Sequence, residues 1–270
     1  MPSVLSIAGS DPTGGAGIQA DCQVAAAFGV HAAAVPTALT LQDGSRVSRV
    51  LPVFPSLVLD QCRQTLAALR PDAIKIGMLA SDDVVRNVLL ALAPWSAIPV
   101  VIDPVLAASD GSPLLERRAY DALRALIHGR RLLTPNWPEA EILVDAKLPT
   151  RADGEAAART LLERHALEAV LLKGGHLDGD ASDLLVRRVG GEAAAARGGA
   201  TGIVAEWLPG ERLPGPPVHG TGCALSTAIA AGLARGADLK TAVVEARRYV
   251  RDAIARARTL ANGARVLAFR

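Results

Sequence analysis

Aromatic residues are scarce in this 270-residue chain: three Trp, two Tyr and three Phe, 3% of the total. That argues against a surface built to stack nucleobases. No excess of one charge marks the chain either, because 29 Lys and Arg face 27 Asp and Glu for a net +2, and a phosphate-backbone footprint needs more. Only three cysteines occur, odd in number and widely spaced, which excludes a disulfide framework and a zinc-ligand cluster and suits a reducing compartment. The least polar stretch, 24 to 41, is interrupted by Gly29, His31, Pro36, Thr37 and Thr40, so it reads as a helix followed by a strand, not a membrane span. The start at Met1-Pro2-Ser3 carries no basic segment or cleavage site, and a cytoplasmic location is expected.

What is abundant is apolar: 50% of residues, enough for a sizeable buried core. Short apolar runs alternate with helical periodicity from end to end. Strands are predicted at 4–8, 31–42, 73–77, 98–103, 131–134 and 169–172, with helices at 17–28, 55–69, from Ser81 onward, 115–128, 137–144 and 150–165. This alternation predicts an α/β fold with a mostly parallel central sheet, helices on both faces and ligands at the carboxyl ends of the strands. From 182 to 208 the rhythm changes to two short strand-like runs, 184–186 and 202–207, read as an antiparallel edge around a Gly- and Ala-rich, mobile connection. Helices are predicted again at 223–233 and from 239 to about 260, and no linker divides the chain, which reads as one domain over 1–270.

Two glycine-rich turns stand out. Gly9-Ser10-Asp11-Pro12-Thr13-Gly14-Gly15-Ala16-Gly17 joins the first strand to a helix. Its Gly9 and Gly14 have the spacing of a phosphate loop, but Gly15 occupies the lysine position, which excludes that motif. The dinucleotide fingerprint fits Gly15 to Ala20 loosely, yet no acidic residue ends the next strand at the right separation. The second turn, His219-Gly220-Thr221-Gly222-Cys223, opens an apolar helix. Its first-turn N–H groups would face an anion, and the helix terminus is expected to favour the Cys223 thiolate.

Further polar residues fall where strands end: Asp103-Pro104, Asn136-Trp137-Pro138-Glu139 and Lys173-Gly174-Gly175. Each has an ordinary reading as turn, helix cap or solvated cation. Gathered on one rim they match phosphoryl transfer: a lysine for nucleotide phosphates, carboxylates for hydrated Mg²⁺, and backbone donors for the transferred group. A thiol hydrolase built on Cys223 with His219, and a noncatalytic vitamin-binding module, are the alternatives from other classes.

These segments, with Ser6 to Asp21, Lys75-Ile76-Gly77-Met78-Leu79, Asp103-Pro104-Val105, Thr134 to Ala140, Leu172 to His176 and His219 to Ser226, resemble in order the hydroxymethylpyrimidine/phosphomethylpyrimidine kinases of thiamine biosynthesis, members of the ribokinase-like superfamily. The resemblance implies a three-layer α/β/α fold, a homodimer, ATP as co-substrate and Mg²⁺. It implies phosphorylation of 4-amino-5-hydroxymethyl-2-methylpyrimidine and of its monophosphate, with a pyridoxal/pyridoxine kinase of the same fold as the alternative. By the same resemblance Gly9, Asp21, Gln42, Met78 and Val105 line the pyrimidine pocket. Asp103, Asn136 and Lys173 serve the ATP phosphates, Glu139 and Asp103 serve Mg²⁺ directly or through water, and Gly220, Thr221, Gly222 and Cys223 form the catalytic turn. The chain departs from the family pattern at Asp43-Gly44, Ala224, Pro216-Pro217-Val218 and 106–111, positions that bear on flap closure and substrate range.

Overall fold

The computed structural model describes residues 1–176, 179–190 and 202–269, which group into two compact units, 1–126 with 213–270, and 127–212. The Gly- and Ala-rich connection expected near 190–200 lies outside the described residues.

In the first unit, β1 (Ser3–Ser10) lies between β2 (His31–Gln42) and β4 (Ala73–Ile76), parallel to both, with Ser3 beside His31 and Val4 beside Ala73. β5 (Val100–Ile102) continues the parallel set beside β4, while β3 (Val47–Pro52) turns back antiparallel on β2, giving the order β3-β2-β1-β4-β5. Every residue of β4 and β5 is buried, which is why these strands read as unbroken apolar runs and not as alternations. Helices α1 (Gly17–Ala27), α2 (Pro55–Leu69) and α3 (Asp82–Leu92) connect the strands. Ser81 caps α3 as expected, its hydroxyl accepting from the Val84 N–H at 3.4 Å. α4 (Tyr120–Ile127) follows a short 3₁₀ turn.

The second unit contains β6 (Leu132–Leu133), α5 (Trp137–Val144), α6 (Arg151–Arg164) and β7 (Ala169–Leu172), β6 and β7 being parallel. β8 (Asp183–Val189) and β9 (Gly202–Leu208) extend it antiparallel, so the expected antiparallel edge is present.

The chain then returns to the first unit through α7 (Thr221–Ala234) and α8 (Leu239–Ala255). α7 is buried from Ala224 to Leu233 and packs on β1, β4, β5, α1 and α8. Two elements were not foreseen. The hairpin tip at Asp43–Ser45 is held by the Asp43 carboxylate, which accepts from the Ser45 hydroxyl at 2.7 Å and the Arg46 N–H at 3.0 Å, and it turns the chain into β3. The predicted last helix ends five residues early, because a small hairpin of β10 (Arg258–Thr259) and β11 (Arg265–Val266) forms around a turn in which Asn262 accepts from the Ala264 N–H. The protein is thus a mixed-sheet α/β structure with eight α-helices among the described residues, none long and apolar enough to cross a membrane.

Candidate active site

The two glycine turns of the first unit are fastened together. Gly220 adopts φ +87°, and a Cβ there would lie 1.8 Å from the Gly15 carbonyl oxygen, so neither the backbone angle nor the space admits a side chain. His219 Nε2 is 2.9 Å from Asp11 Oδ2. The same carboxylate, 1% exposed, accepts from the Thr13 N–H, the Thr13 hydroxyl and the Ala16 N–H, which folds the first loop around it. Burial pushes the Asp11 carboxyl up, but the hydrogen bonds from His219 and Thr13 outweigh it and leave Asp11 below its ordinary value.

α7 starts immediately after Gly220, without a side-chain cap. Cys223, half-buried in its first turn, accepts a hydrogen bond from the Gly17 N–H. The expected thiolate preference is corrected here. Burial raises the Cys223 thiol above its ordinary value; the nearby Lys75 ammonium works the other way, while Asp103 and Asp21 add to the rise. Desolvation in this pocket works against the helix terminus.

Beneath Cys223 lies a polar cluster. Lys75, in the middle of β4 and 0% exposed, donates to both oxygens of Asp21 at 3.0 and 2.8 Å. Asp21 also accepts from the Ser6 hydroxyl at 2.5 Å and from Thr227, one turn below Cys223 on α7, at 2.6 Å. Sequence reasoning placed Asp21 in the pyrimidine pocket, but its carboxylate is fully buried and its oxygens are already engaged. A ligand would have to displace one of these donors, and the packing gives Asp21 the role of holding Lys75. Removing one partner of such a buried pair costs roughly 3–5 kcal/mol. The sequence reading gave Lys75 no role of its own, although one signal was visible: a lone charge inside an otherwise apolar strand.

Of the other residues expected in the pocket, Gly9 and Val105 lie against Met78. Met78 Sδ lies 2.9 Å from where a Cβ at Gly9 would sit. Met78 also shares an apolar cluster with Ala38, Ala80 and Leu114, against which Val105 and the β3 residues Val47 and Val50 pack. Gln42 donates to the Thr40 hydroxyl at 2.7 Å, and Thr40 donates to the Ser10 carbonyl at 2.8 Å, tying the end of β2 to the end of β1. Asp103, 2% exposed, follows β5, its N–H donating to the Ile76 carbonyl.

In the second unit the structure brings Asn136, Glu139 and Lys173 together. Asn136 caps α5: its side-chain oxygen accepts from the Glu139 N–H at 2.9 Å, and Glu139 accepts from the Asn136 N–H at 2.7 Å. Lys173 Nζ stands 3.8 Å from Glu139 Oε2, with both side chains largely buried. The Lys173 N–H donates to the Pro135 carbonyl, which aligns the start of α5 with the end of β7. The ordinary reading of Glu139 as a helix-cap residue is therefore also correct, and the same carboxylate faces a cation.

The model of the phosphomethylpyrimidine kinase family matches residues 11–267. A hydroxymethylpyrimidine/phosphomethylpyrimidine kinase of Mycobacterium tuberculosis is 40% identical over 97% of this chain and 91% of its own length. A thiamine biosynthesis bifunctional protein ThiED of Geobacter sulfurreducens is 37% identical over 97% of this chain, which spans about half (51%) of that relative. Among solved structures, a phosphomethylpyrimidine kinase of Clostridium difficile is 32% identical with a TM-score of 0.78, over 94% of this chain and all of the other. An ADP complex of Bacillus subtilis pyridoxal kinase is 28% identical with a TM-score of 0.85, over 100% and 97% of the two chains. These likenesses carry the ribokinase-like fold and phosphotransfer chemistry expected from the motifs. The chain belongs to the phosphomethylpyrimidine kinase family.

Proposed function

We propose that this chain transfers the γ-phosphoryl group of ATP to the hydroxymethyl oxygen of 4-amino-5-hydroxymethyl-2-methylpyrimidine, and then a second phosphoryl group to the monophosphate, supplying the pyrimidine half of thiamine diphosphate. The carrying observation is the Gly220–Cys223 turn, seated on the Gly15 carbonyl at the start of a helix with no side-chain cap. Its N–H groups offer donors to the transferred phosphoryl group, as the oxyanion of a transfer reaction requires.

In the first unit Gly9, Met78 and Val105 form the wall against which the pyrimidine ring lies, and the Gln42 amide reads its edge as donor and acceptor. Asp21 supports this wall from below through Lys75. In its thiolate form Cys223 accepts the proton of the substrate hydroxyl, and burial, which raises the thiol, limits how much of that form is present. In the second unit Lys173 binds ATP phosphate and Asn136 fixes the helix start beside it.

The oxygen-only character of Asp103 and Glu139 suits a hard cation, and no group of three or more His, Cys, Asp or Glu among the described residues forms a cage for a bare ion. Each carboxylate, taken in its own unit, would meet hydrated Mg²⁺ through water. When bound, Mg²⁺ neutralises phosphate charge. The exposed apolar side chains Leu39, Leu41, Leu51, Phe54 and Leu57 support a homodimer, which sedimentation velocity would detect. A reducing cytoplasm suits the free thiols.

Purified protein supplied with ATP and either the pyrimidine alcohol, its monophosphate or pyridoxal tests the reading, with products resolved by mass spectrometry. Turnover of the two pyrimidines is expected. A clear preference for pyridoxal would establish the alternative, which the likeness to the Bacillus subtilis pyridoxal kinase structure favours.

A further inference from the structure

Lys75 is the one charged group in the cluster beneath Cys223 to which neither the family resemblance nor the proposed reaction gives a direct role. Its burial places a steric demand on the chain. A Cβ at Gly77 would lie 2.9 Å from Lys75 Nζ and 3.1 Å from the Ala8 Cβ, so the glycine two positions on leaves room for the ammonium. Asp21 and Lys75 share two hydrogen bonds, and Thr227 links Asp21 to α7 one turn below Cys223. The ammonium is thereby held under the face of the helix on which Cys223 lies.

A buried Lys–Asp pair contributes little to stability compared with apolar packing of the same volume, and its retention calls for another account. We propose that Lys75 is a positioning residue for phosphoryl transfer, the buried counter-charge for negative charge arriving at Cys223 and at the backbone donors of the Gly220–Cys223 turn. The inference rests on the reading of that turn as the phosphoryl-transfer end. The charged groups whose fields reach Cys223 are Lys75 on β4, Asp21 on α1 and Asp103 after β5, and the Gly17 N–H also acts on its sulfur. Lys75 is the single cation among these groups, and the two carboxylates oppose it. Without it, thiolate or phosphate at this position would keep only backbone N–H groups against like charge and desolvation.

The test uses the full chain without substrate. Iodoacetamide alkylation of Cys223 is followed against pH by mass spectrometry of its peptide. Cys62 is fully buried, which pushes its thiol up to about 12, and it therefore stays silent. Lys75→Met is expected to raise the alkylation midpoint of Cys223 by about one pH unit or more, and Asp21→Asn to lower it. The amide oxygen introduced by Asp21→Asn still accepts from Ser6 or Thr227, so that variant decides the matter should Lys75→Met fail to fold. Opposite shifts support the proposal, because general damage to the packing moves both midpoints the same way. An unmoved midpoint in a folded variant, or shifts of one sign in both, overturns it. In turnover, Lys75→Met should lower kcat by more than it changes KM for the alcohol. Wild-type ATP-dependent turnover tests the kinase reading separately.

Discussion

His219 and Asp11, 208 positions apart, meet at 2.9 Å and join the two glycine turns into one surface. Asp11 gathers the first loop through Thr13 and Ala16, and His219 stands immediately before the φ +87° glycine that starts α7. Each turn alone is a Gly-rich loop. Their joint rigidity comes from this contact and from the close approach of Gly220 to Gly15.

Loss of the His219 contact should loosen the anion turn without unfolding the protein. A hydrogen bond to a charged group is worth about 1.5–3 kcal/mol. His219→Ala is accordingly expected to lower kcat/KM by roughly 10- to 100-fold, by the conversion of about one decade per 1.4 kcal/mol. Steady-state kinetics, with circular dichroism to confirm folding, checks this.

The lowered Asp11 carboxyl has a consequence for acid stability. A group whose folded value lies below its unfolded one, about 3.9 for Asp, contributes stability that is present above the unfolded value and lost as pH falls through the folded one. Urea midpoints measured from about pH 5 down to about pH 2 should fall less steeply in Asp11→Asn than in the wild type. Equal slopes would show that the Asp11 contacts contribute nothing to folding.

Gly220→Ala should be severe. The new methyl group would sit on the Gly15 carbonyl at a backbone angle that L-residues rarely adopt. The strain alone costs about 1–3 kcal/mol and the overlap adds to it. A fall in the urea midpoint together with loss of phosphorylation is expected, whereas Gly263→Ala, also at positive φ but with nothing within 4 Å, should be tolerated far better.

Cys223→Ala separates the sulfur from the backbone around it. As a proton acceptor Cys223 should account for about 10²- to 10⁴-fold in kcat. Near-normal turnover in the alanine variant would remove the base assignment and leave the turn its N–H groups at 220–223, as donors to the transferred phosphoryl group.

Lys173→Ala should act on the nucleotide. Its ammonium faces Glu139 at 3.8 Å beside the capped start of α5. KM for ATP is expected to rise by about tenfold or more, with affinity for the pyrimidine unchanged by isothermal titration. A matching loss of pyrimidine affinity would contradict the assignment of Lys173 to ATP phosphate.

The primary sequence alone determined the α/β alternation, because fully buried strands such as 73–76 and 100–102 are continuous apolar runs and their connecting helices carry recognisable caps at Ser81, Asn136 and Thr150. It also marked both glycine turns and the Asn136, Glu139 and Lys173 set, since glycines and charges at strand ends stand out locally. Local signals could not show β3, whose direction depends on the Asp43–Ser45 turn, or the hairpin of β10 and β11, of which β10 continues a helical pattern. Only the tertiary structure decided which polar groups meet. It turned Asp21 away from a pocket-lining role toward Lys75, set His219 on Asp11, and buried Cys223 enough that its thiol rises where the helix terminus alone would lower it. Desolvation and pairing depend on what the rest of the chain places around a residue, and spacing along the sequence does not carry that information.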